Sequence, residues 1–182
     1  DYQFRDSEIY AENVDSGAIP QLTRRKGPDN NPKDSPDGKL VAYTGLDQSR
    51  NTWTDSKLYV MNIDGSNPRL VSGNWDRSPQ SVQWKPDGTG LYFTAQDTGH
   101  QNLYVLPMAG TRTDVVQPLT KGMHMLTTTS IAKSGKAVGV LSSVHLPPDI
   151  VTYDVAKPDV VKQLTAVNDD ILKGKKLGDV KE

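Results

Sequence analysis

The chain has no cysteine among its 182 residues. That excludes a disulfide framework and thiolate chemistry, and it leaves the compartment open between cytoplasm and periplasm. It has no long apolar run, so the sequence offers no candidate transmembrane helix. It has no excess of either charge: 21 basic and 22 acidic side chains leave a net charge of −1. Bulk electrostatics therefore give nucleic acid or an anionic membrane surface nothing to act on. Histidine is scarce, at three residues spread over separate segments, so no metal and no cofactor is expected. The first residue is Asp1, with no initiator methionine and no signal-like segment. The chain is expected to be a piece of a longer, processed or trimmed protein.

What is present is a repeat. Residues 80–84, 90–95, 102–106 and 115–120 read as four short strands with turn residues between them. Lys85-Pro86-Asp87-Gly88 sits between the first two. Proline presets φ for a tight turn, aspartate bonds its own backbone, and glycine takes the left-handed position. Pro36-Asp37-Gly38 recurs 50 residues later as Pro86-Asp87-Gly88, and more weakly as Lys133-Ser134-Gly135. The third strand is marked by Ile9-Tyr10, Leu58-Tyr59, Leu103-Tyr104 and Ile150-Val151, at steps of 49, 45 and 47. The fourth ends at Leu22-Thr23, Leu70-Val71, Leu119-Thr120 and Leu164-Thr165, at steps of 48, 49 and 45. Three markers share one period and one order.

A period of roughly 40–50 residues with four strands per unit is the signature of a β-propeller blade. The competing reading is a β-sandwich with accidental internal similarity. The expected fold is all-β, a partial β-propeller of about three and a half four-stranded antiparallel blades. Residues 1–29 would hold half a blade, its third and fourth strands. Residues 30–72, 73–120 and 121–166 would each hold a blade. Residues 167–182, polar and alternating in charge, would be a linker. The innermost strand of the first full blade should lie near residues 30–34, a polar stretch containing Pro32 and hence a poor strand. Blades bury both faces against their neighbours, so a half ring leaves two apolar flanks. Further blades, or self-association across the open flanks, would cover them.

In such a meander the first-to-second and third-to-fourth turns share one side. The second-to-third loops and the linkers between blades share the other. That second side should collect Arg50, Trp53, Trp75, Asp76, Arg77, His100, His124 and His145. A loop face rich in Arg, Trp and His suits an interface or a rim for peptide access. The bland reading is a polar loop face on which three histidines fall by chance. Asp76-Arg77 reads first as an ion pair fixing the loop between blades, and second as a cation offered to a substrate carboxylate. Residues 62–67 resemble the start of a calcium loop, but Gly73 stands where the twelfth-position acid belongs, and a hairpin turn fits better. Trp84, Tyr92, Tyr59 and Tyr104 are expected to pack between blades.

Several stretches resemble the propeller domain of the prolyl oligopeptidase family of serine peptidases, in particular its bacterial acylaminoacyl-peptidase-like and dipeptidyl-peptidase-like members. They are residues 35–44 and 52–61, Asp76-Arg77-Ser78 followed by 84–88 and 91–93, and the end of the chain at 148–150, 163–165 and 168–172. The resemblance implies that residues 167–182 lead toward an α/β-hydrolase domain absent from this chain. It also implies a role in gating short peptides toward that domain. No glycine here is followed two places later by serine, so the chain carries no nucleophile elbow and no acyl-transfer site of its own. Two alternatives stand beside this. One is a TolB-like propeller that binds protein partners. The other is a sugar-active propeller enzyme such as an oligogalacturonate lyase, whose metal and histidine cluster the spacing here does not support.

Overall fold

The computed structural model describes residues 6–47, 53–109 and 115–178. Strands β1 (Asp29–Asp34), β2 (Leu40–Gly45), β3 (Lys57–Asn62) and β4 (Arg69–Leu70) form one antiparallel meander. Strands β5 (Gln80–Trp84), β6 (Gly90–Asp97), β7 (His100–Pro107) and β8 (Gln117–Pro118) form a second. Strands β9 (Met125–Ile131), β10 (Lys136–Ser142), β11 (Asp149–Asp154) and β12 (Lys157–Gln163) form a third. A single parallel bridge between Gln101 and Met125 joins the second to the third. Ahead of β1, Tyr10 bridges Gln21, with Ala11 N–H bonded to the Pro20 carbonyl at 3.1 Å. One helical turn, α1 (Asp169–Leu172), lies within the stretch expected to be a linker. The fold is all-β, a partial propeller whose blades are these meanders.

The turn chemistry explains the repeat. Gly38, Gly88 and Gly135 adopt φ of 69°, 72° and 83°, a region open to glycine at no steric cost. Each donates its N–H three residues back, to Ser35, Lys85 and Ala132. The Ser35 hydroxyl and the Lys39 N–H hold the Asp37 carboxyl below the usual carboxylate range, and the Thr89 hydroxyl and N–H do the same at Asp87. At the end of the fourth strand, the hydroxyls of Thr23, Ser72, Thr120 and Thr165 accept the N–H groups of Ile9, Leu58, Leu103 and Ile150 at 2.8–3.1 Å. The second repeat's marker is therefore Val71-Ser72, one residue later than the apolar pattern placed it. Leu70 is half exposed, and the hydroxyl sets the register.

The polar inner strand forms despite its composition. β1 pairs Asn30 with Thr44 and Lys33 with Ala42, leaving Asn31 and Pro32 in a bulge with Asn31 at φ 54°. A bulge is where proline's missing N–H does least harm. β5 repeats the device: its register shifts between Gln80 and Gln83, with Ser81 at φ 49°.

The core lies between blades. Ile9 packs with Val41, Tyr43 and Met61. Ala42, Leu58 and Val60 meet Trp84, Leu91 and Phe93. Tyr92 and Leu103 meet Leu126, Ala137, Val151 and Tyr153. Because side chains alternate along a strand, Val41 and Ala42, or Leu91 and Tyr92, serve opposite interfaces. Each fully buried side chain of this size contributes about 1.5–3 kcal/mol. Trp84 Nε1 donates to the Lys33 carbonyl at 2.8 Å, so even the polar tip is satisfied across the junction. The outer face of the third meander has no such cover. Leu58 and Leu103 are fully buried, whereas Ile150, at the same position of the repeat, is 43% exposed beside Val138 and Val140.

Candidate functional site

The expected loop side carries a set of linkers fastened to the second-to-third connections. The Arg25 guanidinium bonds Asp29 at 2.6 Å, bonds Asp47, and donates to Tyr59 Oη at 3.0 Å while lying 4.3 Å above the Tyr59 ring. Asp29 is almost completely buried, and a side chain at Gly45 would collide with this pair. Tyr43 stacks on Tyr59 at 5.4 Å, and burial pushes its hydroxyl up to about 12. One blade further on, Arg77 bonds Asp97 through Nη2 at 2.7 Å and Nε at 3.0 Å, and bonds Asp76 at 2.7 Å. Asp97 follows Asp47 by 50 residues, so one device recurs: a linker arginine tied to the end of the second strand.

The eight residues singled out in the sequence separate into distinct environments. Arg50 lies outside the described residues. Trp53 is 81% exposed. Two residues on, Asp55 accepts the Ser78 hydroxyl at 3.0 Å, and Ser78 in turn accepts the Ser56 N–H at 3.2 Å, which holds that end of the loop. Trp75 is turned inward, its ring 5.2 Å from both Phe93 and Tyr104. It is a wedge under the linker rather than a rim residue. The single charge of Arg77 is shared between Asp76 and Asp97.

The three histidines meet. His100 opens β7, His124 ends the linker into β9, and His145 lies in the β10–β11 connection. All line one cleft of about 670 Å³ between the second and third blades. Asn102 lines the adjoining hollow, which shares His100 with the cleft. Its Oδ1 accepts the Thr120 hydroxyl at 2.9 Å and the Gly122 N–H at 3.1 Å, and its Nδ2 donates to the Gly122 carbonyl at 3.2 Å. The His124 ring packs on Gly122, where a Cβ would strike it. His124 Nε2 is buried without a hydrogen-bond partner among the described residues. Burial, and then the neighbouring His100, lower the His124 pKa from its ordinary value. Among the described residues no three His, Cys, Asp or Glu side chains converge as metal ligands; the histidines share the cleft without meeting as a ligand set.

A second cavity, of about 460 Å³, lies where the innermost strands β1, β5 and β9 face one another. Asn31, Lys33, Gln80, Ser81, Thr127 and Thr129 give it a polar lining without a carboxylate. Asn31, Ser81 and Thr129 all stand at register shifts of their strands, and the 50-residue step from Asn31 to Ser81 is the trace of this cavity in the sequence.

No family model matches the chain. Dipeptidyl-peptidase 5 of Porphyromonas gingivalis is 27% identical over 91% of this chain and 24% of its own length. A probable dipeptidyl-peptidase 5 of Aspergillus clavatus is 33% identical over 86% of this chain and 22% of its own. The chain thus spans about a quarter of the length of these two relatives. Three solved structures share the fold. The acylaminoacyl peptidase of Pyrococcus horikoshii superposes with a TM-score of 0.68 at 21% identity, over 96% of this chain and 25% of that one. The β-propeller domain of the trilobed protease of Pyrococcus furiosus, described as having an open velcro topology, gives 0.62 at 24% identity, over 92% and 46%. TolB of Acinetobacter baumannii gives 0.67 at 22% identity, over 87% and 37%. The inter-blade core, the Pro-Asp-Gly turns and these likenesses agree: the chain is a propeller-like segment similar in sequence to part of dipeptidyl-peptidase 5 and similar in fold to the propellers of these solved structures.

Proposed function

We propose that this chain is the non-catalytic propeller part of a serine peptidase, and that it gates the access of short peptides to a hydrolase domain outside the 182 residues. The observation that carries the reading is a relation to dipeptidyl-peptidase 5 running along nearly the whole chain, combined with the lack of any Gly-x-Ser-x-Gly elbow within it. In this reading residues 1–29 supply half a blade, residues 30–72, 73–120 and 121–166 supply full blades, and residues 167–182 lead toward the hydrolase domain, which is one partner. Short peptides are the other. The polar cavity between β1, β5 and β9 supports a passage in which peptide groups exchange water for hydroxyl and amide partners. The exposed flank around Ile150 supports self-association of the isolated chain.

The second reading is a TolB-like module that binds protein partners. Trp53 favours it: a tryptophan held out on a tethered loop is the kind of residue that anchors an interface. The two readings are separated by activity. The 182-residue chain should neither react with a fluorophosphonate probe nor hydrolyse a peptidyl-arylamide. In the longer protein, Thr127→Trp at the polar cavity should lower kcat/KM for a peptide while sparing a small ester substrate. Equal rates for both substrates would contradict gating through that cavity.

A further inference from the structure

The three innermost strands share one irregularity. In each, the ladder to the second strand slips, with Asn31 in β1, Ser81 in β5 and Thr129 in β9 at the shift. Asn31 and Ser81 hold φ of 54° and 49°, a region that few side chains adopt. A bulge re-aims a side chain, and all three of these residues line the polar cavity of about 460 Å³ where the blades face one another. That volume lies within the range of sites for small ligands. Two of the wall amides are fixed: Asn31 Nδ2 donates to the Thr44 hydroxyl at 3.2 Å, and Gln83 Nε2 to the Thr128 carbonyl at 3.3 Å. Lys33 is the one charged residue of the lining among the described residues, and no ion pair among them engages it. Its carbonyl accepts Trp84 Nε1 at 2.8 Å, which anchors the backbone from which the side chain leaves.

We propose that this cavity binds short peptides that carry a carboxylate, and that Lys33 selects for that charge. The inference deepens the peptide-gating reading and takes its ligand class from it. A peptide backbone offers N–H donors and C=O acceptors in alternation. Hydroxyl and amide side chains supply both kinds of partner, and Gln80, Ser81, Thr127 and Thr129 present them from two neighbouring blades. A carboxylate on the peptide then finds one cation and, among the described residues, no competing Asp or Glu in the lining. A peptide whose only charge is positive meets Lys33 as a like charge and is disfavoured. Inorganic phosphate fits less well than a peptide, because a dianion would meet a single ammonium and leave the amide and hydroxyl partners along the walls unused.

Binding is read in the 182-residue chain from the backbone amide NMR signals of Asn31, Ser81 and Thr129. The probes are N-acetyl-tetraalanine with a free terminal carboxylate, its C-terminal amide, and the C-terminal amide of N-acetyl-Ala-Glu-Ala-Ala, whose carboxylate lies on a side chain. Inorganic phosphate serves as the anion without a peptide. Saturable shifts are expected with both carboxylate peptides, at about threefold tighter binding than the neutral amide, the ratio expected of a solvent-exposed ion pair. The tighter of the two names the source of the carboxylate. Lys33→Met should remove the preference while leaving the neutral amide's binding unchanged, and Lys33→Glu should reverse it. Absence of saturable shifts, equal binding of the neutral amide by the unsubstituted chain, a preference retained in Lys33→Met, or phosphate binding as tightly as the peptides would overturn the proposal. The peptidase reading fails separately. A longer protein that does not react with a fluorophosphonate probe sinks that reading whatever this chain binds, and a labelled longer protein with no peptide bound at the cavity sinks this inference alone.

Discussion

The Thr120 hydroxyl donates to Asn102 Oδ1 at 2.9 Å while accepting the Leu103 N–H at 2.8 Å. It thereby ties the end of one blade's fourth strand to the start of its third. Thr165 repeats this with Asp149 and Ile150, and Thr23 with Glu8 and Ile9. Ser72 keeps the N–H partner, Leu58, but Lys57 stands where the side-chain acceptor would be. Thr120→Val keeps the shape and strands a buried N–H. It should cost about 1–3 kcal/mol, read from the urea midpoint; a loss under about 0.5 kcal/mol, the range of ordinary surface changes, would show the hydroxyl to be dispensable.

The partly exposed Arg25 and the buried Asp29 form an ion pair at the first junction. Removing the cation alone leaves a carboxylate that is 2% exposed without its counter-charge. Arg25→Met should therefore destabilise by about 3–5 kcal/mol. Adding Asp29→Asn to the same chain should return part of that loss. Two additive single losses in a denaturation cycle would mean that the pair is not coupled.

His124 makes stability depend on pH. Its folded pKa lies below the ordinary value because burial and His100 both disfavour the imidazolium. The unfolded chain then binds the extra proton first. The contribution is fully present above the unfolded value of about 6.5, and is lost as pH falls from there toward the folded value. The thermal midpoint should fall on acidification across this window. His124→Gln should flatten that part of the slope. An unchanged slope in the variant would place the pH dependence elsewhere.

The exposed flank gives a prediction about mass. Ile150 occupies the position at which Leu58 and Leu103 are fully buried and is itself 43% exposed, so burying the remainder gains about 1 kcal/mol. Light scattering of the 182-residue chain should show association that grows with concentration and disappears in Ile150→Lys. A surface change of this kind should cost under about 0.5 kcal/mol in the monomer. A clean monomer at high concentration would remove the flank as a driving force.

Much of this architecture is legible in the residues. The Pro-Asp-Gly turns locate the first-to-second hairpins because glycine's left-handed φ and aspartate's turn bonds are local properties. The blade period follows from them. Leu70 misled because the pattern was counted on apolar residues, whereas the structure keeps time by a hydroxyl at Ser72. Residues 30–34 read as the innermost strand, and β1 lies there; they read as a poor one because the sequence cannot announce the bulge that accommodates Pro32. The eight loop-side residues share one side of the meander in the sequence pattern, yet Trp75 is turned into the core and Arg77 is tied to Asp97; which way a loop side chain turns depends on contacts made far along the chain. The Arg25–Asp29–Asp47 cluster went unnoticed for the same reason. Its one sequence trace was the 50-residue step from Asp47 to Asp97.

The measurement that tests the central claim most directly is the reading frame beyond the codon for Glu182. It should continue for roughly 200–260 residues, the size of one large α/β domain, with a Gly-x-Ser-x-Gly elbow followed by Asp and His. A stop codon at that point, with additional Pro-Asp-Gly blades upstream, would contradict the peptidase reading and leave a binding module in its place.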